Sequence, residues 1–196
     1  MDEIKSALEI AMEKVAKLGE PTEEERLRWK YLPEGEKLAV KYLKESFNLA
    51  AELGKYDSKA LKYLKQGALE VLLNHLNLPK DEVTKKNNRR AMDGIKELKD
   101  DKVAVENVYS RIRHIFSHYL EQGAQQRKQA YEQLKAEFEA QLQQAVQQQL
   151  GGLASLKVSV EKHPQFQEEW RRLSSQLDSQ YLQLLGEYKQ ELRSIP

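Results

Sequence analysis

Apolar residues recur along this chain at steps of three and four, the period of helices that bury one face. Ile4, Ala7, Leu8, Ala11, Val15 and Leu18 form a first stripe, closed by Gly19 and Pro21. Thr22 and Glu25 then stand at capping-box spacing and predict a short helix through Trp29 that ends before Pro33. Leu38, Tyr42, Leu49 and Leu53 predict the next helix, ending at Gly54. Asp57 or Ser58 opens another, with Leu61, Leu64, Ala68, Leu72 and Leu76 on its apolar face. These four segments predict a bundle. Residues 79–99 read as a more polar helix whose seam, Val83, Ala91, Ile95 and Leu98, is narrow enough to place it at the periphery.

Further along, the stripes lengthen. Val105, Val108, Ile112, Ile115 and Tyr119 alternate steps of three and four, as in a heptad seam. After Gly123 a phase-shifted stripe, Tyr131, Leu134, Phe138, Leu142 and Ala145, runs to Gly151 and Gly152, so a long helix is expected. A last helix after Pro164 carries Phe166, Trp170, Leu173, Leu177, Tyr181, Leu184, Tyr188 and Leu192. Neither stripe is covered on its own. Residues 124–150 and 165–193 are similar in length, so the expectation is a coiled-coil-like antiparallel helical hairpin. Between them Leu156, Val158 and Val160 alternate in the manner of an extended segment.

Composition supports an all-α class and adds a boundary. Gly and Pro number 14, and Val, Ile and Thr number 18, in 196 residues, so turn formers and strand formers are both scarce and most β architectures are excluded. Residues 1–119 hold 17 of the 22 lysines and one glutamine, Gln66, whereas residues 120–196 hold 5 lysines and 17 glutamines. This divides the chain into a helical bundle, 1–119, and a Gln-rich hairpin, 120–196. No Pro- or Gly-rich linker marks the join, which places it inside one continuous helix.

With 32 basic and 31 acidic side chains the net charge is +1, so no global field draws the chain to nucleic acid or an acidic membrane. The absence of cysteine excludes disulfides, thiolate metal sites and cysteine nucleophiles. The start, Met1-Asp2-Glu3-Ile4-Lys5, lacks the basic and apolar blocks of a secretory leader, and the longest uncharged stretch, 140–156, is dominated by glutamine. A cytoplasmic protein with no membrane partner is expected.

Chemical signatures are few. The sequence holds no Gly-rich phosphate loop, no nucleophile elbow, no His-Glu-x-x-His and no Glu-x-x-His. No cofactor is expected. One constellation stands out: on a helix, Asn107, Arg111, His114, His118 and Glu121 fall in a single polar stripe beside the apolar arc of Val108, Ile112, Ile115 and Tyr119. Two histidines four apart can share a metal. Glu121, however, lies seven residues from His114, roughly 10 Å along the axis, and cannot close on the same ion. The reading is a solvated or hydrogen-bonded pair with no metal.

Within the same segment, Arg113-His114-Ile115-Phe116-Ser117-His118 places an Arg five positions before a His, with a polar residue after the Arg. It resembles the motif of HEPN-type helical-bundle ribonucleases. The resemblance covers six residues and implies phosphate contact and acid–base cleavage by Arg113 and His118. The family's tyrosine, two positions after the His, stands here one position early, as Tyr119. A second basic run, Lys85-Lys86-Asn87-Asn88-Arg89-Arg90, has Asp81, Glu82 and Asp93 nearby and no interleaved aromatic, and reads as a solvated face.

The aromatic series Phe166, Trp170, Tyr181 and Tyr188 reads as core or seam, with surplus area at Trp170 and Tyr181 for a partner. The leading functional expectation is a non-enzymatic helical scaffold or adaptor that self-associates or binds a helical protein. The alternative is a nucleic-acid-binding or RNA-cleaving protein using Arg111, Arg113, His114 and His118. A metal-dependent activity comes third.

Overall fold

The computed structural model describes residues 21–45, 47–150 and 159–196. The first stripe, Ile4 to Leu18, and most of the alternating connector lie outside them. Among the described residues there are six α-helices and no strand: α1 (Glu23–Lys44), α2 (Leu49–Leu53), α3 (Ser58–His75), α4 (Glu82–Leu98), α5 (Lys102–Leu150) and α6 (Pro164–Ser194), with a 3-10 turn at Val160–Lys162. The protein is all-α. The contacts of the described residues gather into two compact units, one of those up to 74 together with 93–98, the other of those from 75–92 and from 99 onward.

In the first unit the capping box forms, with the Glu25 N–H donating to Thr22 Oγ1 at 3.3 Å and the Thr22 N–H to Glu25 Oε2 at 2.8 Å. The helix does not stop before Pro33 as its sequence predicts; α1 runs through Pro33 to Lys44. Proline removes one backbone donor, yet Pro33 stands on the exposed side while Gly35, Ala39 and Tyr42 are buried on the other, and that burial carries the helix across the missing bond. The break falls later. Asn48 opens the separate short α2, its Oδ1 accepting from the Ala51 N–H at 2.9 Å, and Asp57 caps α3 by accepting from the Ala60 N–H at 2.8 Å.

Where α1 crosses α3, two glycines remove the usual spacing between helices. A Cβ on Gly35 would overlap the Leu64 carbonyl oxygen, and one on Gly67 would overlap that of Leu32. The two backbones touch, sealing Leu64, Ala68 and Leu72 away from solvent.

In the second unit Asp81 and Asp101 cap α4 and α5 through the N–H groups of Thr84 and Ala104. The sequence places residues 79–99 at the periphery, but of that seam Ala91 in this unit and Ile95 and Leu98 in the first are buried, and Val83 alone is exposed. Asn88, inside the basic run, is buried and exchanges two hydrogen bonds with the Asn77 backbone.

Helix α5 passes through Gly123 without interruption. Rings and polar groups on α5 meet α6 in reverse order: Phe138 and Tyr131 against Phe166, Tyr131 against Trp170, Tyr119 against Tyr181, and Arg111 against Glu191. Just before α5 the Lys99 ammonium donates to the carbonyls of Arg193 and Ile195 and the Asp100 N–H to that of Pro196, which together cap the C-terminal end of α6. The helices run antiparallel, and α6 lies against residues 99–138 instead of centring on 124–150. Along that stretch of α5 Val105, Val108, Ile112, Ile115 and Tyr119 are buried. Val160, read from its alternation as extended, instead opens the 3-10 turn and is buried.

Candidate functional site

The apolar arc of α6 is wider than the seam that α5 covers. Phe166, Leu185 and Leu192 are buried, Trp170, Leu173, Leu177, Tyr181 and Tyr188 are half-buried, and Leu184 keeps 42% of its surface exposed. On α5 the polar stripe flanks the same side. A groove of about 860 Å³ results, running along one face of the helix pair. Ile115, Leu173, Leu177 and Leu184 supply its apolar surface, and Arg111, His114, His118, Gln126, Gln176 and Gln180 its polar surface.

Two contacts hold the groove's polar groups across the seam. His118 Nδ1 lies 2.9 Å from the Tyr181 hydroxyl, with the two rings 5.8 Å apart. Arg111 pairs with Glu191 at 2.5 Å and lies over the Tyr188 ring, 4.9 Å from its centroid. The hydrogen bond from Arg111 to Glu191 also raises the guanidinium's pKa, so its charge is permanent.

Of the residues singled out in the sequence, Arg111, His114, His118 and Tyr181 come together in this groove. Arg113 does not line it. Its guanidinium pairs with Glu106 one heptad earlier on α5, about 140° around the helix from His118. Trp170 packs edge-on against Tyr131, ring centroids 5.1 Å apart, beside Phe166. Among the described residues no three His, Asp or Glu side chains converge as metal ligands.

A polar centre that sequence reasoning missed lies inside the seam. Asp178 is buried to 3% exposure. Lys80 reaches its Oδ2 at 2.7 Å, and Arg127 Nη1 lies 3.6 Å from its Oδ1, too far for a hydrogen bond. The Arg127 guanidinium sits 4.0 Å from the centroid of the Tyr119 ring, and its Nη2 donates to the Tyr119 carbonyl at 3.2 Å. Burial, with Asp178 nearby, pushes the Tyr119 hydroxyl up to about 12 against the opposing pull of Arg127. Gly123 leaves room for this arrangement: a Cβ there would stand 3.1 Å from the Tyr181 hydroxyl and 3.2 Å from Arg127 Nη1. The signal was present in the sequence, since Asp178 falls on the same helical line as Tyr181, Leu185 and Leu192.

Residues 50–194 match the model of a family of unknown function, DUF6657. The chain belongs to that family. No curated protein and no solved structure matches it. The match takes in the groove and the Asp178 centre together, and no described helix is long and apolar enough to cross a membrane.

Proposed function

We propose that this protein is a non-enzymatic helical interaction module, and that the groove beside the α5/α6 seam receives an amphipathic helix. The observation that carries this reading is the row Leu173, Leu177 and Leu184, which α5 leaves half-covered at the first two and exposed at the third although it continues the apolar arc of α6. Two antiparallel helices with one open apolar face form half of a bundle, and a further helix laid in the groove extends the packing already present. The polar rim sets the register of such a helix without demanding charge from it.

The alternative, RNA cleavage by Arg113 and His118, has less support. Acid–base work on one phosphate needs both groups within reach of it, and here one is turned to Glu106 and the other to Tyr181. Selection of a displayed library of amphipathic helical peptides on the immobilised chain tests the docking reading. Enriched peptides should repeat apolar residues at i, i+3, i+4 and i+7 and lose at least tenfold in affinity for Leu184→Glu. Recovery of no helical sequences, or of binders indifferent to that substitution, argues against docking. Metal-free cleavage of single-stranded RNA that is lost in His118→Ala would favour the alternative.

A further inference from the structure

Resting on the docking reading, we infer that the occupant of the groove is a second copy of this chain, packed face to face so that two α5/α6 pairs complete an antiparallel four-helix bundle. Charge and hydrogen-bonding chemistry point to this partner. Among the groove's lining residues Arg111 alone carries a permanent charge, and Glu191 of the same chain already neutralises it. An acidic or basic partner would therefore find nothing to complement.

The remaining polar groups are amides, imidazoles and hydroxyls. A glutamine side chain presents both a donor and an acceptor, so a face rimmed by Gln126, Gln176 and Gln180 is complementary to itself. A two-fold axis brings each such face against its copy, with amide meeting polar rim and leucine meeting apolar floor, and the association closes at two chains.

Size places the interface in its class. From Leu173 to Tyr188 the groove runs about 22 Å along α6, and two helices side by side span about 20 Å. The footprint is about 450 Å² per copy, or about 900 Å² in total, within the range of weak and transient interfaces. Such a dimer is weak and reversible, populated at high concentration and lost on dilution.

Sedimentation velocity over a concentration series tests the inference on the full chain. The wild type should move from monomer to dimer between about 1 µM and 1 mM. Gln176→Glu/Gln180→Glu should stay monomeric, because each face then carries like charges toward its copy, and Gln176→Lys/Gln180→Lys should do the same. An equimolar mixture of the two variants should recover dimer, and circular dichroism should show each variant folded. A folded wild-type chain that remains monomeric at 1 mM overturns the inference, as does a dimer unchanged in both charged variants. A monomer that still selects helical peptides through Leu184 discards the self-association and leaves the docking reading standing, so the two failures are distinct.

Discussion

His118 and Tyr181 meet across the α5/α6 seam, the imidazole Nδ1 2.9 Å from the phenol oxygen, and this contact links the wall of the open groove to the seam itself. Tyr181 also packs edge-on against buried Tyr119, 5.2 Å between centroids, so one side chain takes part in both environments. A double-mutant cycle of His118→Ala and Tyr181→Phe, read by urea denaturation, should give a coupling of about 0.5–1 kcal/mol, the net worth of a partly exposed hydrogen bond. Strictly additive losses would show that the contact adds nothing to stability.

Asp178 is the group whose loss should matter most in the second unit. Replacing it by Ala leaves the partly buried Arg127 guanidinium without its counter-charge and should cost about 1–3 kcal/mol. The paired replacement Asp178→Leu with Arg127→Met, which removes both charges, should recover most of that loss in thermal melts. If the double variant is as unstable as Asp178→Ala, the charge argument fails and packing is the cause.

Two glycine substitutions should move stability in opposite directions. Gly67→Ala forces its new methyl into the Leu32 carbonyl oxygen, a backbone atom that no rotamer change can move aside, and should destabilise by about 3 kcal/mol or prevent folding. Gly186→Ala, inside α6 with nothing within 4 Å of the added carbon, should stabilise by about 0.5–1 kcal/mol through helix propensity. Chemical denaturation of the two variants beside the wild type checks the contrast.

Alkaline stability should fall in a defined window. Tyr119 titrates at about 12 in the folded chain against an ordinary value of 10, and Tyr56, whose hydroxyl donates to Glu34 at 2.7 Å, does the same. A raised folded-state value means that the stabilisation is complete below about pH 10, where the unfolded chain is still protonated. It declines as pH climbs from 10 toward 12, because the unfolded phenols ionise first. Melting temperatures measured from pH 9 to pH 12 should drop, and Tyr119→Phe should flatten the drop. An equal decline in that variant would remove Tyr119 from the explanation.

Much of this architecture follows from local chemistry that a linear reading can see. The Thr22/Glu25 box, the stop at Gly54, the Asp57 cap and the long apolar series from Val105 to Tyr119 are set within a few residues of themselves, by hydrogen bonds and by helical period. The alignment of Arg111, His114 and His118 was legible for the same reason. Tertiary structure decided what depends on a partner element. Pro33 stays inside α1 because burial of Gly35, Ala39 and Tyr42 outweighs one missing bond, and nothing near Pro33 in sequence carries that information. The register of α6 against residues 99–138, the notch at Gly123 that admits Tyr181, and the pairing of Asp178 with Arg127 and Lys80 are agreements between residues about 30 to 100 positions apart. The groove belongs to the same class: the width of the apolar arc on α6 is written in its sequence, but which part of that arc is left open depends on how α5 lies against it.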